Sequence, residues 1–397
     1  MAMNYNNGTV STIGPQFNTY EYKRKALIET AKTEYFSQLG DVETLSKNYG
    51  QKLKKYHYIP LLDDRNVNDQ GIDANGVTIA NGNLYGSSKD PGYIASKLPV
   101  LSENGGRVNR VGFKRMEVEG EIHNYGFFYE WSQDSMNFDT DADLYSHINR
   151  EALRGAREIS EDIIQKDLLD AAGIVMYTGD ATSIGTTGYN DNETLNSIVK
   201  YNDLVRLGVR LDDNRCPKDT KAITGSKDTD VVNIQGARYM FIGSELIPTL
   251  MRMKDYHGER AFIPLEKYAQ STPSGKYVNA LHGEIGSVAG FRIVVVPEMM
   301  GYIGKGEDVD DESYLNDGNK YNVYPMLVIG SGSFAHIRFQ VSGDTADKFN
   351  IIVRKPGTFA NPEDPYEKIG YSSIQFWQGT LVLRPEWIAK ILTLAKG

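Results

Sequence analysis

Val328-Ile329-Gly330-Ser331-Gly332-Ser333-Phe334-Ala335 is the stretch whose residue types come nearest to a known chemistry. An apolar run leads into G-x-G-x-x-A, the spacing with which a loop cradles the pyrophosphate of a dinucleotide. That chemistry needs a helix N-terminus directly after the glycines, because its amides and dipole hold the anion. Ile337, Phe339 and Val341 alternate instead, which is the period of a strand, so the glycines read as a hairpin turn. The six histidines, at 57, 123, 147, 257, 282 and 336, show no H-E-x-x-H or other ligand spacing. Glu307-Asp308-Val309-Asp310-Asp311-Glu312 resembles part of a calcium loop, but it lacks the glycine at the sixth position and the glutamate at the twelfth. It reads as an exposed acidic loop. Cys216 stands beside Pro217 with no companion motif for a nucleophile. No Walker A lysine loop and no G-x-S-x-G elbow occurs, and carboxylate spacing alone picks out no acid/base couple in so acidic a chain. No catalytic residue, metal site or cofactor is assigned, and the chain is not read as an enzyme.

The elements that would position such residues are organised around Asp139–Gly173. Leu144, Ile148, Ala152, Ala156, Ile159 and Ile163 recur every three or four residues, the stripe of an amphipathic helix. Thr140 with Asp143 makes a start signal, Gly173 a stop, and no proline interrupts. Such a helix is roughly 45–50 Å long, a beam rather than the wall of a pocket.

Length bounds the rest: 397 residues suffice for two or three domains. The net charge of −9 gives free duplex DNA nothing to adhere to over the whole surface. One cysteine excludes an internal disulfide framework and fits a reducing cytoplasm. The N-terminus shows no signal pattern, and apolar runs such as Ile293–Val296 and Ile388–Leu394 are too short to cross a bilayer. Twenty-five tyrosines suit either an interface or a core.

In chain order, residues 1–20 read as a polar arm, and a helical stripe (Ile28, Ala31, Tyr35, Leu39, Val42) runs from Tyr22 to about Leu45. Between Glu21 and Tyr58 eight Lys or Arg face five acids, a basic excess that suits nucleic acid, an acidic neighbour or plain solvent. Lys52–Leu61 reads as a basic strand ended by Pro60. Asp63 to about Arg110 is a Gly/Asn/Asp/Ser excursion too long for a structureless loop within one compact domain. It suits a segment lying on another subunit. Arg115–His123 is a two-faced strand whose phase breaks at Tyr125-Gly126, a bulge, before Phe127, Tyr129 and Trp131 resume it. Beyond Gly173 the reading is a helix near Leu195–Leu207, a strand at Arg238–Gly243 and a short helix at Glu245–Met253. Strands follow at Ser287–Pro297, Tyr324–Gly330, Ala335–Val341, Asn350–Arg354 and Ile374–Leu383, then a helix start at Pro385-Glu386-Trp387-Ile388. The class is α+β.

A basic strand, a long loop, the return strand Tyr125-Gly126-Phe127-Phe128-Tyr129-Glu130-Trp131-Ser132-Gln133 and a very long helix, in that order, resemble the major capsid proteins of tailed phages. The likeness leans to the short-tailed schitovirus type, through Lys52–Tyr58, Tyr125–Gln133 and the turn His282-Gly283-Glu284-Ile285-Gly286 before a strand. It spans about residues 50 to 300. Lys54 and Lys55 stand where an arginine pair is more usual, and the excursion is longer and richer in glycine.

The resemblance implies a Hong Kong 97-type fold. It maps residues 1–50 to an N-terminal arm and 51–135 to an extended β-loop with a long insert and return strand. Residues 136–173 become the spine helix of a peripheral domain, 174–345 mainly an axial domain, and 346–397 a return to the peripheral sheet. It implies no reaction but self-assembly, into hexamers and pentamers of an icosahedral shell enclosing double-stranded DNA. Portal, scaffold or decoration proteins would be further partners, with no membrane; the protein would be made in the host cytoplasm and reside in the virion capsid. Lys54, Lys55, Tyr56, Tyr58, Arg110, Lys114, Arg115, Arg150, Arg154, Arg157, Glu158 and Glu161 are the candidate subunit-interface residues. An encapsulin-like compartment shares the fold, and a carbohydrate-binding or carbohydrate-active protein is the alternative of a different class.

Overall fold

The computed structural model describes residues 35–46, 50–58, 115–138, 144–190, 196–223, 231–234, 238–270, 281, 283–340, 349–357 and 364–397. The polar arm, the Asp63–Arg110 excursion, Arg110 and Lys114 lie outside them. Its strands are β1 (Asp41–Ser46), β2 (Lys52–Tyr58), β3 (Arg115–Glu121) and β4 (His123–Ser132) before the long helix α1 (Leu144–Asp170). After it come β5 (Ile174–Tyr177), helix α2 (Tyr201–Asp213), β6 (Thr220–Ile223), β7 (Val231–Ile234), β8 (Arg238–Ile242) and β9 (Ile263–Pro264). The remaining strands are β10 (Glu284–Val288), β11 (Phe291–Val295), β12 (Val323–Ile329), β13 (Phe334–Gln340), β14 (Asn350–Arg354), β15 (Ile369–Val382) and β16 (Ile388–Leu394).

The chain divides into two compact units. The first holds His123–Ser160 and Gln340–Gln378, hence β4, most of α1, β14 and the first ten residues of β15. There β15 is the middle strand, antiparallel to β14 and to β4, in unbroken register from Ile369↔Ser132 to Gln378↔His123. The expected bulge at Tyr125-Gly126 is therefore absent. The phase changes three residues earlier, where Ile122 is buried and both His123 and Asn124 are exposed. One sheet face packs on α1: Ile374 and Phe376 meet Ala156, with Tyr125, Phe127, Ala152 and Phe349 around them. Alanines on the helix let its backbone approach the aromatic strand closely. Tyr129 donates its hydroxyl to Asn149 Oδ1, and Gln378 Nε2 donates to the Ser160 carbonyl at 2.8 Å.

The second unit holds Tyr35–Ile122, Glu161–Phe339 and Gly379–Gly397. Its seven-stranded sheet runs β5-β16-β12-β8-β11-β10-β9. Both faces are covered, which is why its central strands read as continuous apolar runs rather than alternations. Met240, Ile242, Met326 and Val328 point into a core shared with Leu204, Leu207 and Leu211 of α2. Tyr239, Phe241, Leu327 and Ile329 point the other way, to Ile164 and Leu168 of α1 and to Phe36 and Leu39. The last residues of β15 pair with β13, which also pairs with β1.

Several sequence expectations change here. The α1 stripe does not run through Ile159, which is 43% exposed; Ala156, Ser160, Ile164 and Leu168 are the buried line. A strict i, i+4 line drifts around the helix, and Ser160, fully buried on it, carries no apolar signal in sequence. The helical stripe ending near Leu45 gives way, in its described part, to a turn at 35–40 and then β1. The short helix expected at Leu195–Leu207 is α2, set six residues later. Ser287–Pro297 is not one strand but β10 and β11, folded at Ala289-Gly290, both with positive φ. The helix expected from Pro385 is a three-residue 3-10 turn, Pro385–Trp387, leading into β16. Burial on both faces of the sheet rewards the extended form of Ile388–Leu394 over its helical propensity. Of residues 346–397, β14 and Ile369–Gln378 lie in the first unit, while β16 lies inside the seven-stranded sheet.

Candidate assembly surfaces

The element after the glycine motif settles its role. Gly330–Ser333 joins β12 to β13, a strand, so no helix N-terminus stands ready for a pyrophosphate. The turn is not a hairpin either, since β12 and β13 belong to different sheets. Among the described residues no group of three or more His, Cys, Asp or Glu is placed to hold a metal ion. Among them, too, no helix is long and apolar enough to cross a membrane.

The charged residues of β2 and β3 do come together. The two strands form an antiparallel ribbon with Lys52 opposite Glu121, Lys54 opposite Glu119, Tyr56 opposite Glu117 and Tyr58 opposite Arg115. Period-two alternation puts Lys52, Lys54, Tyr56, Arg115, Glu117, Glu119 and Glu121 on one side. Lys52 Nζ lies 3.4 Å from Glu121, Lys54 Nζ lies 3.5 Å from both Glu117 and Glu119, and Arg115 reaches Glu117 at 3.9 Å. The Arg115 guanidinium sits 4.0 Å over the ring of Tyr56, which is 52% exposed. Hydrogen bonding to Glu117, and then its charge, holds the Lys54 ammonium above its ordinary value. Three cations and three anions cancel on this face, so the basic excess read from the sequence is neutralised where β2 is described. A face of matched charge offers no net attraction to a polyanion. On the opposite side Lys55 pairs with Glu43 of β1, a partner that sequence spacing gave no reason to choose.

Below that side lies a cleft of about 520 Å³, lined by Asp41, Lys55, His57, Arg384 and Trp387 among others. Arg384 stacks 4.0 Å over the Trp387 ring. Burial, then the charges of Arg384 and Lys55, push the His57 imidazole below its ordinary pKa.

On α1, within the first unit, Arg154 bonds Glu158 at 3.1 Å and Glu151 at 3.5 Å, and Arg150 lies 4.0 Å from Glu151. Arg157 is exposed. Such i, i+3 and i, i+4 pairs support the helix by only a few tenths of a kcal/mol each. In the second unit Glu161 has an internal task, since its Oε2 accepts the backbone N–H of Phe36 at 3.0 Å and of Ser37 at 3.4 Å. The first unit also carries exposed apolar groups that the sequence reading did not single out. Phe128 is 67% and Tyr366 81% exposed, and Ile351, Ile352 and Val353 of β14 are exposed as well. Phe128 had a signal: it breaks the alternation of Phe127, Tyr129 and Trp131.

Among known proteins, a family model described as phage capsid protein matches residues 116–391. The major capsid protein of Pseudomonas phage KPP21 is 50% identical over 393 residues, 98% of this chain and 96% of that protein. Among solved structures, the capsid of Ralstonia phage GP4 superposes with a TM-score of 0.60 at 11% identity, covering 98% of each chain. The capsid of Cyanophage P-SCSP1u gives 0.52 at 11% identity, covering 94% of this chain and 91% of that one. At such low identity these two similarities speak for the fold, which is the α+β fold of Hong Kong 97-type phage capsids.

Proposed function

This chain belongs to the phage capsid protein family, and on that footing we propose that it builds the shell of a tailed-phage virion. Copies close into hexamers and pentamers, these tile an icosahedral shell, and double-stranded DNA fills it. The observation that carries this reading is the 50% identity, over nearly the whole chain, with a protein named a major capsid protein. No reaction is catalysed. Portal, scaffold or decoration proteins complete the particle, and the protomer is made in the host cytoplasm.

A domain map is proposed on the two units, with Glu161–Asp170 of α1 and the strand β16, both given to the peripheral part from sequence, counted with the second. The sheet β14-β15-β4 with most of α1 serves as the peripheral domain and the seven-stranded sheet as most of the axial domain. The β2–β3 ribbon is the base of the extended loop. Its tip, the Asp63–Arg110 excursion, lies outside the described residues and rests on a neighbouring copy. Head-to-tail contacts of this kind close into rings when the rotation fits. Each copy touches several neighbours, so contacts of a few kcal/mol add through effective concentration while single errors stay reversible. Lys54, Tyr56, Arg115, Arg150 and Arg157 are proposed as contact residues in that lattice. The abundance of tyrosine argues less for a glycan-binding face than it did in sequence, because Tyr314 packs tilted against Tyr189 and edge-on against Tyr321 inside the second unit.

Negative-stain images of the expressed protein test the reading: closed shells or ring-shaped capsomers are expected, and a protein monomeric under all conditions overturns it. Enzyme cargo in place of DNA in particles from infected cells would point to a compartment instead. Deleting Asn66–Asn104 is expected to leave a folded protomer that forms no closed shell; normal particles from that deletion remove the role given to the excursion.

A further inference from the structure

The turn Pro385–Trp387 fastens several segments of the second unit together. Gly173 N–H, at the end of α1, donates to the Pro385 carbonyl at 2.9 Å. Asn214, at the end of α2, donates its Nδ2 to the Glu386 carbonyl and receives Trp387 Nε1 at its own carbonyl, both at 2.9 Å. Gly330 N–H donates to the Trp387 carbonyl at 3.0 Å. The fit leaves no slack: a Cβ on Gly173 would stand 2.5 Å from the Pro385 oxygen, and one on Gly330 2.6 Å from Cys216 Sγ.

Inside this fastening sits Glu386, 4% exposed, whose Oε1 has no hydrogen-bond partner. The charged and titratable groups near it offer little help to a carboxylate. Arg384, on its own segment, is stacked on Trp387. From the α2 side comes the buried Cys216 thiol, itself pushed up to about 11 by burial. Behind the thiol, Arg238 of β8 is committed to Asp212 at 2.7 Å and to the carbonyls of Cys216 and Pro217. We infer that Glu386 makes this turn a proton-operated latch, seated while the carboxyl is protonated and loosened when it ionises.

Burial pushes the Glu386 carboxyl up to about 7 from an ordinary 4.5, against weaker opposing help from its own backbone amide and Arg384. A raised acid binds its proton more tightly in the folded state. Its contribution therefore falls as pH rises from the unfolded value through the folded one, and levels off above. The full interval corresponds to roughly 300-fold in the opening equilibrium.

Cys216 is the chain's single cysteine and is buried beside the turn, so its labelling reports opening of this region. Wild type and Glu386→Gln, as full-length chains, are to be labelled with an aromatic disulfide reagent from about pH 5.5 to about pH 8.5. Dividing the two rates at each pH removes the thiol's own ionisation. The ratio of wild type to variant is expected to climb about tenfold or more, with its midpoint near 7; a ratio flat across the range overturns the inference. If Glu386→Gln fails to fold, infrared difference spectra of the unaltered chain decide. A protonated-carboxyl band that bleaches near pH 7 supports the latch, and no such band refutes it.

Discussion

Replacing Phe376 by alanine probes whether the first unit stands on its own packing. The ring is 2% exposed, stacks on Tyr125 at a centroid distance of 5.7 Å and meets Phe349 edge-on at 5.3 Å. Alanines 152 and 156 of the helix close the site. Rings and backbone-mounted methyls relax poorly into a void, so the loss lies in the range of about 3–5 kcal/mol typical of Phe→Ala in a core. The whole stability of a domain is about 5–15 kcal/mol, so this is a large share. Hydrogen exchange on the full chain reads it by segment. Amides of Phe127–Trp131 and of Ile374 should lose protection by about two orders of magnitude or more. Those of Met326–Ile329, buried in the seven-stranded sheet, should keep theirs. Equal loss in both sets would show that the two units unfold as one, and unchanged protection at Phe127–Trp131 would show that the ring is not structural. Either result denies Phe376 the part of a local keystone in the first unit.

Gly379→Ala places a Cβ 2.3 Å from the backbone oxygen of Glu121, which cannot rotate away. A loss of about 2 kcal/mol or more, seen as a lower Tm with early exchange at Gly120–Ile122, is expected. Arg238→Met strips the Cys216 and Pro217 carbonyls and Asp212 of a buried donor. It should cost about 2–4 kcal/mol in chemical denaturation. Burial alone would raise the Asp212 carboxyl, but the hydrogen bonds and charges of Arg238 and Lys218 outweigh it and hold it below its usual value. Its contribution is thus present above the unfolded value near 3.8 and lost as pH falls through the folded one. The acid side of a Tm–pH curve should be shallower in Arg238→Met than in wild type; parallel curves would deny the pair any part in acid stability.

Local pattern was readable wherever one face met water. Arg115, Glu117, Glu119 and Glu121 announced the ribbon because alternation is a property of neighbours two apart, and α1 announced itself by length. Asn350–Arg354 was placed to the residue. What stayed hidden depends on partners distant in sequence. Nothing near Gly330–Ser333 says that the strands on either side enter different sheets. Ile388–Leu394 is as apolar as a buried helix, and only the slot between β5 and β12 makes it a strand. Lys55 offered no preference between Glu43 and the acids of β3, and the separation of 26 positions between Asp212 and Arg238 conceals their bond. At Ile159 the difficulty was angular: an apolar residue one step off a helical line still looks periodic in sequence.

β5 begins four residues after α1 ends, yet it lies parallel to β16, with Ile174 beside Ala389 and Tyr177 beside Leu392. Thr178, next in line, bonds Leu392 across 214 residues of chain. Closing a loop of that size costs about 5 kcal/mol of entropy before any contact returns it, and distant parallel pairing is slow. A helix needs only its own neighbours and is finished long before. The order expected is rod first and foundation second, which would leave sister chains that arrive early a vacant strand position. Timing, as much as shape, separates a productive encounter from a tangle.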